Sequence, residues 1–238
     1  MGYKVLGVSG SPTPKSNTDA LVKAVLEAAG GETEFIKLSE IKVGPCIACR
    51  KCAWTNECVL NDDFKQLSRK LLESDAIVVG TPVMYATASA FTKAFVERQY
   101  SLRHVKLLMQ GKVGAAIAVG EKEEGADEVA KWLEYTMKGA GMEVAGRMHA
   151  RGNPGCFVCG PGETCKYSIY NNAVKMEGND NFFMKAYEGY LEVLPDNDPL
   201  KHPSYRVLKH RDVRDEPQVM AQATALGDQM RKLLMRKL

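Results

Sequence analysis

Hydrophobic and polar positions along the chain follow two periods, one typical of strands and the other of helices. Short apolar runs predict buried strands at residues 4–9, 76–79 and 113–119, and weaker patterns predict strands at 33–38 and 142–145. Apolar positions at helical spacing predict helices at residues 17–29, 62–73, 89–101, 125–138 and 218–238. The order of these elements is therefore strand, then helix, repeated.

This alternation predicts a doubly wound α/β fold, with a parallel sheet covered by helices on both faces. Five strands suit a flavodoxin-like strand order of 2-1-3-4-5, built as a single domain over residues 1–238. Ligands of such sheets bind beyond the carboxyl ends of the strands, near the point where the strand order reverses. The loops at residues 10–16, 81–88 and 120–124 are therefore the expected binding loops.

Two segments do not fit the strand–helix pattern. The first is a cysteine loop at residues 42–61, after the second strand. The second is a long segment at residues 151–214, which precedes the last helix and is interpreted as an insertion. Within it, an aromatic run at residues 181–191 predicts a short amphipathic helix.

Composition excludes several classes of protein. The 238 residues carry a formal net charge of +3 with both signs scattered, so no nucleic-acid partner is expected. No apolar run approaches the ~18 residues of a membrane span, and the first residues do not resemble a signal peptide. Seven cysteines in two tight groups favour metal binding in a reducing compartment, and we expect a cytoplasmic protein.

The first two binding loops carry suggestive side chains. Hydroxyl and amide groups crowd the helix start at residues 9–18, where unpaired backbone N–H groups can hold a phosphate. An ordinary helix cap at Ser16 or Asn17 explains the same residues. In the second loop, Met84 and Tyr85 offer a polarisable and an aromatic surface for a flat heterocycle, although both residue types also occur in cores.

Four cysteines, Cys46, Cys49, Cys52 and Cys58, lie within the cysteine loop. Their C-x2-C-x2-C spacing with a fourth thiol soon after resembles the ferredoxin type of iron–sulfur site, because short gaps let one loop surround a cluster. A zinc site or free thiols are the alternatives. We expect a [4Fe–4S] cluster.

The second cysteine group repeats part of the first spacing. Cys156, Cys159 and Cys165 are separated by two and five residues, as are Cys49, Cys52 and Cys58. Three thiols predict a second iron–sulfur cluster or a zinc site, with His149, His202, an exchangeable ligand or a neighbouring subunit as the fourth ligand. Ordinary thiols are the remaining interpretation.

The second loop and its helix resemble the NADPH-dependent FMN reductase family. Thr81-Pro82-Val83-Met84 is similar to the family's Ser-Pro-Val-Tyr, and the following helix carries the family's Lys-x-Phe-x-acid-Arg pattern from Lys93 to Arg98. The resemblance implies noncovalent FMN, with its phosphate at the first loop and its ring along the second. The implied phosphate residues are Ser9, Ser11, Ser16, Asn17 and Thr18, the implied ring residues are Pro82, Val83, Met84 and Tyr85, and Gly120 would begin the third flavin loop. Lys93 and Arg98 are expected to solvate their helix or to pair with Glu97.

Combined with the cysteine loop, these motifs resemble the iron–sulfur flavoprotein subgroup of that family. The resemblance implies one FMN and one [4Fe–4S] cluster per subunit and a homodimer or homotetramer. It predicts an electron-transfer oxidoreductase with ferredoxin or NAD(P)H as donor and an acceptor that the motifs do not identify. No acid–base residue is assigned, because the cofactors would carry the reaction. The alternatives are a flavin, quinone or nitro-compound reductase with a structural zinc loop, and a redox or metal sensor on a flavodoxin scaffold.

Overall fold

A computed structural model describes residues 2–155, 157, 164 and 210–238 of the chain. The chain divides into two compact units, one comprising Met1–Gly152 with Asp212–Leu238 and the other Asn153–Arg211. The first unit contains the sheet and its helices. Cys156, Cys159 and Cys165, His202 and the predicted aromatic helix lie outside the described residues, so these predictions and that of an insertion at 151–214 stay predictions.

The sheet has five long parallel strands in the order β2-β1-β3-β5-β6. They are β1 (Lys4–Ser9), β2 (Glu32–Lys37), β3 (Ala76–Met84), β5 (Val113–Gly120) and β6 (Glu143–Arg151). A two-residue strand, β4 (Thr87–Ala88), folds back antiparallel onto the end of β3. With β4 set aside, this order is the predicted 2-1-3-4-5, and the flavodoxin-like prediction is confirmed.

Five helices of the described residues cover both faces of the sheet, namely α1 (Asn17–Ala29), α2 (Phe64–Glu73), α3 (Ala90–Arg98), α4 (Glu123–Gly139) and α5 (Pro217–Met235). The apolar faces of α1 and α5 form one core with β1, β3 and β5. Those of α2, α3 and α4 form a second core on the opposite face. Because helices cover both faces, β5 is buried along its whole length, which explains its continuous run of apolar and small residues.

Element ends differ from the predicted ones where the chain turns within a few residues. β3 continues to Met84, past the predicted end at residue 79, because its last residues pair with β4. β6 extends to Arg151 and not to residue 145, and it pairs with the whole of β5 through one register shift between Gly114 and Ala115. The helix predicted at residues 89–101 ends at Arg98 and continues as a 3-10 turn, Gln99–Leu102. Within the residues described, no helix combines the length and the hydropathy of a membrane span.

Candidate functional site

A buried ion pair holds the first loop, residues 10–16, beneath the start of α1. Asp19 and Lys37 are both buried and in contact, and the Lys37 ammonium also donates to the carbonyl of Thr13 at 2.6 Å. The Asp19 carboxylate accepts the hydroxyl of Ser9 at 2.5 Å and the backbone N–H of Ser16 at 3.3 Å. Ser16 completes a capping box, because its hydroxyl accepts the backbone N–H of Asp19 at 3.1 Å. The loop conformation is therefore set by a buried charge pair.

The five predicted phosphate residues occupy two different environments. Ser9 and Ser11 are buried, and the Ser11 hydroxyl accepts the backbone N–H of Thr13 at 3.3 Å. Ser16 is the N-cap of α1, and Asn17 and Thr18 begin its first turn. The Asn17 side-chain carbonyl accepts the backbone N–H of Val213 at 3.2 Å. An anion at this loop would thus meet the helix N-terminus formed by residues 16–18.

A cluster of buried hydroxyls joins the first loop to the second. Ser89 is the N-cap of α3, and its hydroxyl donates to the carbonyl of Gly10 at 2.7 Å. The hydroxyls of Thr81 and Thr92 lie 2.9 Å apart, and that of Thr92 is 3.0 Å from Ser89. All three hydroxyl side chains are fully buried. Gly10 also donates its N–H to the carbonyl of Gly80 at 2.8 Å, so the first loop is tied to the end of β3.

The ring-binding residues predicted in the second loop form a half-buried hairpin with an exposed turn. Val83 and Met84 pair with Ala88 and Thr87, and the two residues between the strands, Tyr85 and Ala86, have φ angles of 48° and 58°. Two successive positive φ angles define a type I′ turn, which usually contains asparagine or glycine. Each non-glycine residue in this conformation costs about 1 kcal/mol or more. The strained turn leaves the Tyr85 ring fully exposed to solvent.

The third loop adjoins the second. Gly120 is buried at the end of β5, where a Cβ atom would come within 3.0 Å of the Val83 side chain. Its carbonyl accepts the N–H of Gly152 at 2.7 Å. The three loops predicted from topology therefore lie together at the carboxyl edge of the sheet.

The four cysteines of the cysteine loop line one depression. It encloses about 340 Å3, including space open to solvent. Cys46 and Cys49 are exposed, whereas Cys52 and Cys58 are half-buried. Burial raises the pKa of the Cys52 thiol, and a backbone hydrogen bond acts in the opposite direction. The charges of the nearby Cys58, Cys49 and Cys46 raise this pKa further. In the part of the chain that is described, no three His, Cys, Asp or Glu side chains converge on a single point where one metal ion would fit.

The loop turns tightly between its cysteines. Ala48, Arg50 and Asn56 all have left-handed φ angles, between 52° and 60°, although none is glycine. The Asn56 side chain is buried, and it donates to the carbonyls of Ser101 and Lys106 at 3.2 and 3.1 Å. Its carbonyl oxygen accepts two backbone N–H groups, at residues 105 and 106, each at 2.9 Å. These four hydrogen bonds attach the segment between Cys52 and Cys58 to the chain that follows α3.

Arg98 joins the two ends of the cysteine loop. Its guanidinium is fully buried, donates to the Asp62 carboxylate at 2.5 and 2.8 Å, and donates to the Gly44 carbonyl at 3.1 Å. Gly44 also donates its N–H to Asp62 at 3.2 Å. The expectation that Arg98 solvates its helix or pairs with Glu97 is wrong, because a bidentate carboxylate partner lies across the loop. For Lys93 it is correct, since its ammonium lies 2.6 Å from Glu97.

Electrostatics at this ion pair favour both charged forms. Burial acts to raise the pKa of Asp62, but hydrogen bonds from Arg98 and from the backbone N–H groups of Gly44 and Phe64 lower it below its usual value. Burial acts to lower the pKa of Arg98, but hydrogen bonding to Asp62 and the charge of the nearby Cys58 and Asp62 raise it. Asp19, Lys37, Ser89, Thr92 and Asn56 were not singled out from the sequence. The only patterns in the sequence that point to any of these residues are the Ser16-x-x-Asp19 capping box and the helix cap at Ser89.

A parallel sheet in this order, with three loops at its carboxyl edge, defines a flavodoxin-like protein, here with an added thiol-lined loop. Residues 3–152 match the family described as NADPH-dependent FMN reductase, and the chain belongs to that family. The predicted subgroup is also confirmed, because curated proteins named iron–sulfur flavoprotein match this chain.

One such relative, from Methanocaldococcus jannaschii, is 40% identical over 128 residues, which are 52% of this chain and 66% of that protein. Another, from Methanosarcina thermophila, is 36% identical over 128 residues, 52% of this chain and 67% of that protein. The chain thus spans about two thirds of the length of these relatives. A solved NAD(P)H:quinone oxidoreductase from Methanothermobacter marburgensis has a TM-score of 0.51 and 15% identity over 63% of this chain and 83% of that one, which shows a shared fold.

Proposed function

We propose that this protein is a flavin-dependent oxidoreductase that binds FMN at the three loops and a [4Fe–4S] cluster at Cys46, Cys49, Cys52 and Cys58. The observation that carries the proposal is the thiol-lined depression at the C-terminal end of α3. At the other end of α3, the Ser89 hydroxyl holds the first loop of the proposed flavin site. Membership of an FMN reductase family supports the flavin. The names of the matching relatives support the cluster.

The donor set fits an iron–sulfur cluster. A [4Fe–4S] cluster takes four thiolates, one at each iron, so its ligands surround the group and do not meet at one atom. The four cysteines line a single depression, which supports such a ligand set. The left-handed residues Ala48 and Arg50 flank Cys49 and turn the backbone around that depression. The fully buried Arg98 guanidinium at its wall supplies positive charge where anionic thiolates would gather.

The loops fit a flavin phosphate and ring. Residues 16–18 present the N-terminus of α1 to an anion, and the Asp19–Lys37 pair keeps that turn in place. Pro82, Val83 and Met84 line the adjoining loop, and the exposed Tyr85 ring offers an aromatic surface. When bound, FMN would take up electrons in pairs and a cluster would carry them singly, so the two groups together would convert two-electron into one-electron transfer.

The donor that we propose is NAD(P)H or a reduced ferredoxin, and the acceptor is unassigned. We further propose a homodimer or homotetramer in the cytoplasm, where a reducing environment would keep clustered thiols available to metal. The Cys156, Cys159 and Cys165 group, outside the described residues, is proposed to bind a second cluster or a zinc ion.

The test is the content of anaerobically purified protein. We expect one FMN per chain and at least four irons with matching acid-labile sulfide. Cys49→Ala should lose the iron and keep the FMN, whereas Lys51→Ala, an exposed neighbour in the same loop, should keep both. Flavin with zinc in place of iron would instead indicate a reductase with a structural zinc loop. Absence of flavin after reconstitution would contradict the proposal and favour a sensor on this scaffold.

A further inference from the structure

Arg98 has one donor that the described residues leave unused. Its two terminal nitrogens bind Asp62 and the Gly44 carbonyl, but Nε is buried and makes no hydrogen bond of ordinary geometry within the described part of the chain. A buried donor without an acceptor costs about 1–3 kcal/mol, so such an atom calls for a partner.

The surroundings of that nitrogen indicate what the partner is. Arg98 lines the depression formed by the four cysteines, and its guanidinium stacks on the Phe64 ring, 4.7 Å from the centroid. The Phe64 side chain is itself buried in the core, so this face of the guanidinium is closed to solvent. The Cys58 sulfur lies close enough to the guanidinium to interact with it electrostatically. A sulfur that interacts with the guanidinium therefore lies on the cysteine side of Arg98.

We infer that Arg98 is a positioning residue that donates a charge-assisted hydrogen bond to the Cys58 sulfur of the proposed cluster. This hydrogen bond and the charge of Arg98 raise the reduction potential of the cluster. This inference rests on the proposed cluster. Hydrogen bonds to cluster sulfurs and nearby buried charge are known determinants of cluster potentials. A buried positive charge favours the state that has gained an electron, whereas the Asp62 carboxylate opposes it.

An electrostatic role for this pair predicts the direction in which each variant shifts the reduction potential of the cluster. A purely structural role does not. Arg98→Met removes the positive charge and leaves Asp62, so the cluster should become harder to reduce. Asp62→Asn removes the negative charge and leaves Arg98, so the cluster should become easier to reduce. If the pair only held the loop together, both changes would loosen the same contact with Gly44 and would not move the potential in opposite directions.

The experiment is an anaerobic redox titration of the whole protein, with the cluster followed by electron paramagnetic resonance and the flavin by absorbance. Each variant is first assayed for iron, acid-labile sulfide and FMN. We expect the two variants to shift the one-electron equilibrium of the cluster at least tenfold in opposite directions, about 59 mV each. Arg98→Lys keeps the charge but lacks Nε and the planar fork, so its potential should fall between wild type and Arg98→Met.

Arg103→Met is the matched control. Arg103 is exposed and stacks on Tyr100, which lines the same depression, with 5.5 Å between the guanidinium carbon and the ring centroid. Solvent screens the charge of Arg103, so its removal should shift the reduction potential of the cluster far less than removal of Arg98 does.

Equal potentials in wild type, Arg98→Met and Asp62→Asn, at full iron content, would overturn the inference, as would shifts of the same sign. If Arg98→Met fails to retain iron, Asp62→Asn and Arg98→Lys decide the matter, since their expected shifts also have opposite signs. A wild-type protein without iron and sulfide would overturn the proposed function itself, and this inference with it, before any variant is compared.

Discussion

Replacement of Gly10 by alanine should disrupt the first loop, the proposed site of the flavin phosphate, through a steric clash. A Cβ atom at this position would lie 1.8 Å from Thr92 Oγ1, 3.0 Å from Ser89 Oγ and 3.1 Å from Thr92 Cβ. Both neighbours are fully buried, and their hydroxyls are held by other hydrogen bonds, so neither can move away without breaking contacts.

The magnitude follows from two terms. Overpacking of a filled interior costs about 1–3 kcal/mol. Displacement of the loop would also break the hydrogen bond from Ser89 to the Gly10 carbonyl, and a buried group left unpaired costs about 1–3 kcal/mol. We therefore expect Gly10→Ala to lower the free energy of unfolding by about 2–6 kcal/mol. Since the same loop is proposed to hold the flavin phosphate, affinity for FMN should fall about tenfold or more, which corresponds to ~1.4 kcal/mol.

The assay is urea unfolding followed by circular dichroism, with FMN affinity measured by quenching of flavin fluorescence. Gly125→Ala is the control, because no atom would lie within 4 Å of the added methyl group and α4 should gain up to about 1 kcal/mol from alanine. The double variant Gly10→Ala/Thr92→Ala removes the nearest clashing atom and should be more stable than the sum of the single effects predicts. A wild-type urea midpoint for Gly10→Ala, or strict additivity in the double variant, would refute this reasoning.

Three further predictions concern packing, acid stability and the hairpin. Gly227→Ala should cost about 1–3 kcal/mol by urea unfolding although it lies within α5, because its Cβ would come within 2.5 Å of the Val25 carbonyl; an unchanged midpoint would contradict this. The pKa of Asp62 is lowered in the folded protein, so its stabilisation is present above the unfolded pKa of about 4 and is lost as pH falls through the folded value. The free energy of unfolding should therefore fall less steeply with decreasing pH for Asp62→Asn than for wild type, and an equally steep fall would exclude this contribution. Ala86→Gly relieves a left-handed φ and should stabilise the protein by up to about 1 kcal/mol, whereas a lower melting temperature would show that the turn is unstrained.

Local patterns in the sequence were sufficient to predict the sheet. A strand buried on both faces needs an uninterrupted apolar run, and residues 76–79 and 113–119 have one. Once the strand order follows from alternation, the carboxyl-edge loops follow from topology, and the structure places all three together. The cysteine spacing is equally local, because one short loop carries all four thiols.

The residues that hold these loops could not be predicted because their partners are distant in sequence. Arg98 and Asp62 are 36 positions apart, and each lies in a segment whose other charged residues are exposed or half-buried. Lys37 ends β2 in an alternating strand, and nothing local marks it as buried. It contacts Asp19 because the parallel register places it beside Ser9, and that register is known only once β1 and β2 are paired. Side-chain identity alone did not distinguish a solvated charge from a buried one.

Helix α3 connects the two candidate sites. At its N-terminus, Ser89, supported by Thr92, holds the first loop through Gly10, and at its C-terminus Arg98 holds both ends of the cysteine loop. Its nine residues span about 13 Å at ~1.5 Å per residue, so the two ends are close in space. Phe95 is buried in the core between these ends, which fixes the helix against the sheet. Because one short, packed helix holds a loop at each end, the distance between the sites is set by secondary structure and does not depend on the conformation of either loop. Electron transfer between the proposed flavin and the proposed cluster would need a fixed separation, and this helix would supply it with residues whose roles appear only in the folded chain.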